Sequence, residues 1–240
     1  MKKPLFFLII SLLLIILFTV QAITLAKNPG YPEPVFQVEK TKGFLFLTFN
    51  LPWGESQLDT LLRILDEHDS RAVFFISGHW LKEYPQNAKK IINGGHQIGN
   101  HTFSYARLLA LKEEEIEQEI SSFNKLCEET CNINPVFFRP PYGEYNPRIV
   151  RLASENGCFT LLWSINALML SNLETELIIN HIEERIHDGA VILLHATPRI
   201  VETLPQIINF LEWKGYTIAS PDLIKEYAEK RCNYSELATR

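Results

Sequence analysis

The 240-residue sequence has few cysteines, no excess of basic residues and no internal repeat. Its four cysteines, Cys127, Cys131, Cys158 and Cys232, are too scattered for a disulfide framework in a chain of this size. Cys127 and Cys131 have no second cysteine pair with which to complete a zinc signature. A disulfide between Cys127 and Cys131 or between Cys158 and Cys232 is one possibility, and inert core thiols are the other. A formal net charge of −5 gives no electrostatic footprint for nucleic acid, which excludes that partner.

The first 26 residues contain the only long apolar run. Lys2 and Lys3 precede an almost unbroken apolar stretch from Leu5 to Val20, which continues past Gln21 to Ala26. No polar face interrupts it, so it is not a core helix of ordinary amphipathic type. It predicts an uncleaved membrane anchor or a cleavable signal peptide. Either one places the rest of the chain outside the cytoplasm, anchored in the cell membrane or secreted.

The remaining residues predict one folded domain of α/β class. Residues 27–42 are proline-bearing and polar, which indicates a linker, and a polar tail is expected over 229–240. Between them, over 43–228, β-rich runs alternate with amphipathic helices. The predicted strands are 43–49, 71–76, 96–100, 136–138, 158–163, 189–194 and 216–218. The predicted helices are 55–68, 84–93, 111–128, 146–156, 174–187, 199–214 and 221–229. Such a chain forms a parallel sheet, barrel-like or doubly wound, with functional residues at the carboxyl ends of its strands.

Five segments lie at those strand ends. In chain order they are TFNLPWG (48–54), HTFSY (101–105), FRPPYG (138–143), WSIN (163–166) and LLH (193–195). Together they resemble the motifs of the NodB-homology domain, the polysaccharide deacetylases of carbohydrate esterase family 4. The first segment looks most like the sporulation-type, membrane-anchored relatives. The resemblance implies a distorted (β/α) barrel of about seven parallel strands, and hydrolysis of the N-acetyl amide of chitin, chitooligosaccharide or peptidoglycan sugars.

The resemblance also implies which catalytic groups are replaced. Members of the family hold a divalent metal with one Asp and two His, and use a further Asp as general base. Here Asn50 stands at the base position, while Leu51 and Tyr105 stand at two of the three ligand positions. An amide accepts no proton at pH 7, and leucine has no lone pair. Because His101 is the one retained ligand, we expect no cofactor, with weak zinc or cobalt binding as the alternative.

Other family positions are retained. By resemblance, Arg139 orients the base, the Tyr142 backbone N–H stabilises the oxyanion, and Leu194 and His195 form the acetyl pocket and the general acid. Asn166 replaces the aspartate that holds the arginine. The alternative interpretation is structural: Arg139 caps the end of the sheet, and His195 is a hydrogen-bonded core histidine.

Four aromatic residues complete the predicted site: Trp53, Trp163, Tyr105 and Tyr142. Amphipathic rings around strand ends suit the apolar faces of sugars, and core filling is the alternative. The sequence therefore predicts a deacetylase-like protein directed at N-acetylated cell-wall glycans, glycan-binding and catalytically impaired. Two alternatives stay open. One is an active hydrolase that cleaves the amide by divergent chemistry, and the other is a structural or assembly protein of the cell envelope.

Overall fold

The computed structural model describes residues 31, 33–51, 54, 57–167 and 174–238, with side chains described as far as 232. The predicted anchor or signal peptide over 1–26 lies outside these residues, and so does Trp53. Within the described part of the chain, no helix combines the length and the apolar character that a membrane span requires.

Strands and helices alternate along the described chain. The strands are β1 (Phe44–Leu51), β2 (Ala72–Ile76), β3 (Gln97–Asn100), β4 (Phe137–Phe138), β5 (Phe159–Thr160), β6 (Ile165–Asn166), β7 (Val191–His195) and β8 (Thr217–Ile218). The helices are α1 (Leu58–Glu67), α2 (Gly78–Glu83), α3 (Pro85–Asn93), α4 (Glu113–Cys131), α5 (Pro147–Glu155), α6 (Thr175–Glu183), α7 (Pro198–Trp213) and α8 (Asp222–Ala238). Single 3₁₀ turns at Leu108–Ala110 and Pro141–Gly143 follow β3 and β4.

The sheet is an incomplete barrel of parallel strands. Its order is β5-β4-β3-β2-β1-β7-β6, and β8 pairs with the start of β1. β5 and β6 follow each other in sequence but lie at opposite edges, so the wall stays open between them. The predicted α/β class and its parallel seven-stranded sheet are confirmed. The single strand predicted over 158–163 is wrong, because the chain leaves β5 after Thr160 and crosses that opening to start β6.

The predicted linker is packed against the barrel over residues 33–41, which we call the strap. The Val35 N–H donates to the Thr160 carbonyl at 2.8 Å, and the Leu162 N–H donates to the Val35 carbonyl at 2.8 Å. Val35 and Val38 are each only 2% exposed. Burying two valines removes apolar surface from water, which holds this polar, proline-bearing segment in place. The folded unit therefore begins before Gly43, and the strap lies along the open side of the wall.

Strand periodicity divides the side chains of β1 between two cores. Leu47, Phe49 and Leu51 belong to the large cluster between the strands and the surrounding helices. Phe46 belongs to the cluster inside the barrel. Because successive side chains of a strand alternate between its faces, Asn50 lies on the same face as Phe46, toward the interior. This alternation decides which residues of the first motif reach the site.

The last helix is longer than the sequence predicts. α8 continues to Ala238, although the predicted polar tail begins at residue 229. Ile224 and Ala228 on α8 are buried in the cluster inside the barrel. Their packing fixes the first turns of the helix, and the polar residues that follow extend it.

The cysteines are unbridged thiols, and neither of the two possible bridges is formed. Burial raises the pKa of Cys127 to about 12 and that of Cys158 to about 11. A thiol with so high a pKa carries almost no thiolate at neutral pH, so these two are unreactive core groups.

Candidate active site

Four polar side chains meet at the carboxyl ends of the strands. Asn50, His101 and Arg139 are 7%, 0% and 0% exposed, respectively, at the ends of β1, β3 and β4. Arg139 Nη1 donates to Asn50 Oδ1 at 3.0 Å, and His101 Nδ1 lies 2.6 Å from the Arg139 carbonyl oxygen. His195 ends β7 directly beside Asn50 in the strand register. The structure therefore brings together four residues that lie far apart in the sequence.

Arg139 is buried without a carboxylate partner among the described residues. Its other two hydrogen bonds go to the carbonyl oxygens of Leu161 and Leu162, each at 2.9 Å. Its guanidinium also lies 3.9 Å from the centre of the Phe75 ring and 5.4 Å from that of Trp163. Burial lowers the pKa of Arg139 well below its ordinary value. A guanidinium nevertheless stays protonated at neutral pH, and no carboxylate among the described residues neutralises it. The interior of the site is therefore electropositive, an environment that disfavours a metal cation.

His101 is held as a neutral imidazole with one defined tautomer. A carbonyl oxygen only accepts, so Nδ1 carries the proton and donates it to Arg139. Burial and, to a smaller extent, the nearby Arg139 charge lower the pKa of His101 to about 3, although the hydrogen bond to the Arg139 carbonyl opposes them. The lone pair is therefore on Nε2, which is buried and has no hydrogen-bond partner among the described atoms. This is the tautomer that a metal-ligating histidine adopts.

His195 is neutral as well. Burial, and after it the Arg139 charge, lowers the pKa of His195 to about 4. Its Nε2 is also buried and lacks a hydrogen-bond partner in the described part of the chain. At neutral pH this imidazole does not carry the extra proton that a strong general acid donates.

The two leucines of the last motif lie on opposite faces of β7. Leu194, which the resemblance assigns to the acetyl pocket, is buried in the helix-facing cluster. Leu193 pairs with Thr48, as His195 pairs with Asn50, so it shares their inward face. Leu193 is therefore the leucine beside the site. The two-residue period of a strand, counted back from His195, is the signal that identifies it.

The divalent metal that the resemblance implies does not fit these residues. Leu51 is 5% exposed and packs in the helix-facing cluster with Leu58 and Trp80. His101 Nε2 thus remains without the other two ligands. Across the described residues there is no group of three or more His, Cys, Asp or Glu side chains that could hold a metal ion.

Tyr105 belongs to a column of side chains that leads from the surface to His101. Arg107 lies 4.4 Å above the centre of the Tyr142 ring, and the Tyr142 and Tyr105 ring centres are 5.1 Å apart. The Tyr105 and His101 centres are 5.0 Å apart, with the rings edge to face. At the outer end, Arg107 is paired with Glu144 at 2.6 Å. We call Arg107, Tyr142, Tyr105 and His101 the aromatic column.

Three residues beside the site have left-handed backbone conformations. The φ angles of Thr102, Tyr105 and Tyr142 are 65°, 63° and 63°. Such angles are unfavourable for residues other than glycine, so surrounding contacts must hold them. The Thr102 N–H donates to Asn100 Oδ1 at 2.8 Å, and the Tyr105 N–H donates to Thr102 Oγ1 at 3.0 Å. Side-chain hydrogen bonds therefore fix the turn that carries Tyr105.

The remaining predicted residues lie around the same mouth. Tyr142 is 50% exposed at the rim, whereas Trp163 is half-buried beside Arg139. A Cβ atom at Gly143 would lie 2.7 Å from the Trp163 ring, so the glycine of the third motif allows this close packing. Asn166 ends β6, and its carbonyl oxygen lies 3.0 Å from His181 Nε2.

This fold and these motifs define a class, the carbohydrate esterases of the polysaccharide deacetylase type. The polysaccharide deacetylase family matches residues 37–160, and the chain belongs to that family. It is 30% identical to the uncharacterized protein YlxY of Bacillus subtilis, over 79% of this chain and 59% of that protein. It is also 30% identical to the peptidoglycan-N-acetylmuramic acid deacetylase PdaA of the same organism, over 77% of this chain and 71% of that enzyme.

Among solved structures, BA3943 of Bacillus anthracis, described as a pseudoenzyme of carbohydrate esterase family 4, is 29% identical with a TM-score of 0.75. That match covers 78% of this chain and 66% of BA3943. A BA3943 mutant is described as having restored enzymatic activity. The Bc1960 peptidoglycan N-acetylglucosamine deacetylase is 28% identical with a TM-score of 0.76, covering 82% of this chain and 94% of that enzyme.

Proposed function

We propose that this protein is an extracytoplasmic deacetylase-family member that binds N-acetylated cell-wall glycans and lacks metal-dependent hydrolysis. The buried hydrogen bond from Arg139 to Asn50 carries this proposal. It occupies the place of the ion pair in which, by resemblance, an arginine holds a carboxylate base. The apolar run over 1–26 supports placement at the cell membrane or outside it.

Hydrolysis of an N-acetyl amide needs an activated water, an acceptor for its proton and a donor for the leaving amine. Asn50 cannot accept that proton, because its amide oxygen is not basic at neutral pH. Leu51 and Tyr105 supply no metal ligand, so the water is not activated. His195, with a pKa of about 4, carries no readily donated proton at neutral pH. All three requirements are unmet in the resting site.

The class of glycan is proposed from the relatives. Enzymes 30–32% identical to this chain are described as peptidoglycan-N-acetylglucosamine, peptidoglycan-N-acetylmuramic acid and chitooligosaccharide deacetylases. These polymers share N-acetylated sugar rings. The exposed ring of Tyr142 and the half-buried ring of Trp163 suit the apolar faces of such sugars.

The test compares binding with turnover in the full chain. Calorimetry is expected to show binding of N-acetylchitotetraose but zinc or cobalt binding no tighter than about micromolar. Acetate release from chitooligosaccharide or peptidoglycan fragments is expected to stay at background with either metal added. Stoichiometric tight zinc would contradict the proposed loss of the metal site, and acetate release that His195→Ala abolishes would show that the protein is an active deacetylase. Absence of any glycan binding would instead favour a structural role in the envelope.

A further inference from the structure

Tyr105 closes the inner part of the site from two directions. Its ring packs edge to face with the ring of His101, whose side chain is 0% exposed and whose Nε2 lone pair has no partner among the described atoms. Its other neighbour in the aromatic column is Tyr142, which is 50% exposed at the mouth. A ligand group that approaches the His101 lone pair from the mouth therefore meets the Tyr105 ring first.

The phenol of Tyr105 also has a defined partner. The Tyr142 backbone N–H donates to the phenol oxygen, an interaction that lowers the pKa of Tyr105. Burial has the larger, opposite effect and raises the pKa of Tyr105 above its ordinary value, so the phenol stays protonated at neutral pH. The hydrogen-bond donor that Tyr142 directs toward the mouth is thus taken by a side chain of the same protein.

The backbone beneath Tyr105 is fixed, which leaves the side chain as the movable part. The Tyr105 N–H donates to Thr102 Oγ1, and the Phe103 N–H donates to the Glu119 carbonyl at 3.0 Å. The Ser104 N–H donates to the Glu119 carboxylate at 2.8 Å. These bonds tie the turn to α4. Rotation about the Tyr105 side-chain bonds costs much less than unfolding a turn held in this way.

From these contacts we propose that Tyr105 is an internal occupant of the site that sets its specificity. Its ring covers the His101 lone pair, and its hydroxyl takes the Tyr142 N–H in place of a ligand carbonyl. The proposal rests on the proposed glycan-binding function and deepens it. The wild-type protein holds sugar rings at the rim and gains little from their N-acetyl groups, because the donor for an acetyl carbonyl is already used.

The binding test uses pairs of oligosaccharides that differ only in N-acetylation. Affinities of the full chain for N-acetylchitotetraose and for the fully de-N-acetylated tetramer give a discrimination ratio. Tyr105→Phe keeps the ring and removes the hydroxyl, so the ratio is expected to rise about 2- to 10-fold, the net effect of one hydrogen bond. Tyr105→Ala is expected to raise it further, because His101 is uncovered as well. The control is Tyr145→Phe, which removes a hydroxyl from another exposed aromatic residue, one that packs against Phe36 of the strap.

A ligand-free measurement tests the contact itself. Amide hydrogen exchange at Tyr142, followed by NMR, is expected to be about 2- to 10-fold faster in Tyr105→Phe than in wild type, and unchanged in Tyr145→Phe. Equal exchange in wild type and Tyr105→Phe would overturn the proposal. So would glycan binding with the same discrimination ratio in all variants, although the glycan-binding function would then stand. If no variant binds either tetramer, the glycan-binding function fails, and the specificity role proposed for Tyr105 fails with it.

Discussion

Two sets of residues at the barrel mouth compare differently with the family motifs. The altered set, at the ends of β1 and β3, comprises Asn50, Leu51 and Tyr105, each of which differs from the residue that the family resemblance implies. The retained set, at the ends of β4 and β7, comprises Arg139, Tyr142 and His195. The two sets touch through the hydrogen bond from Arg139 to Asn50 and through the packed rings of Tyr105 and Tyr142.

This difference teaches that retained residues need not retain their chemistry. His195 is present, but burial and the unneutralised Arg139 charge lower its pKa to about 4. A carboxylate at position 50 would offset that charge and favour the protonated imidazole. A carboxylate in the altered set is therefore expected to shift the protonation of the retained set, and the following experiments test that dependence.

The largest expected effect is on catalysis. Leu51→Asp with Tyr105→His supplies two metal ligands but no acceptor for the proton of the bound water. Adding Asn50→Asp is expected to raise acetate release from N-acetylated oligosaccharides by about 10²- to 10⁴-fold over the double variant in zinc or cobalt. Asn50→Asp alone should remain at background. Equal rates for the double and triple variants would show that position 50 is not the base.

Substitutions of Leu51 also test how much this side chain contributes to the stability of the fold. Leu51 packs in the helix-facing cluster, so Leu51→Asp places a carboxylate in an apolar core unless the end of β1 rearranges. The free energy of unfolding of Leu51→Asp is expected to fall by about 3 kcal/mol or more without metal. Leu51→Met, which conserves volume, should lose less than about 1.5 kcal/mol. Urea unfolding measures both, and similar losses would mean that Leu51 is not core-packed.

An intermediate effect is expected in the pH dependence of stability. The folded pKa of His195 is about 4, against an ordinary value of 6.5, so the unfolded chain binds a proton that the folded chain does not. The contribution of His195 to the free energy of unfolding is therefore fully present above pH 6.5 and is lost as the pH falls toward 4. His195→Gln should reduce the slope of unfolding free energy between pH 6 and 5 by about 1 kcal/mol per pH unit. An unchanged slope in His195→Gln would contradict the shift.

The smallest effect is expected at the outer end of the aromatic column. Arg107 is paired with Glu144, but the Arg107 side chain is 62% exposed. Exposed ion pairs contribute little, so Arg107→Gln is expected to change the free energy of unfolding by less than about 1 kcal/mol. A loss of 3 kcal/mol in thermal or urea unfolding would show that the column supports the fold rather than only closing the site.

Much of the architecture could be predicted because helical periodicity and β-rich runs report on local structure. The predicted strand over 43–49 and helix over 199–214 correspond closely to β1 and α7. β5 and β6 contain two residues each, too few for any period, and their separation depends on how the barrel closes. The strap was missed for a related reason, since two valines among polar residues gain burial only from a wall that forms elsewhere in the chain.

For the site, strand-end motifs predicted which residues converge but not how they interact. Asn50, His101, Arg139 and His195 meet as expected. The neutral state of His195 depends on burial and on a charge contributed by β4, neither of which a motif encodes. The bond between Tyr105 and the Tyr142 N–H depends on positive φ angles at both residues. Neither residue is a glycine, so the sequence does not signal these angles.

The strap has a consequence for how the molecule behaves among its own copies. A strand edge with unpaired N–H and carbonyl groups is a template on which another chain can add a strand and start aggregation. At the open side of this wall, Val35 supplies both the donor and the acceptor that the Thr160 and Leu162 backbone require. The strap therefore covers a sheet edge that could otherwise pair with another chain. Trimming the chain at Gly43 would expose it, and the shortened protein would be prone to self-association even with every site residue in place.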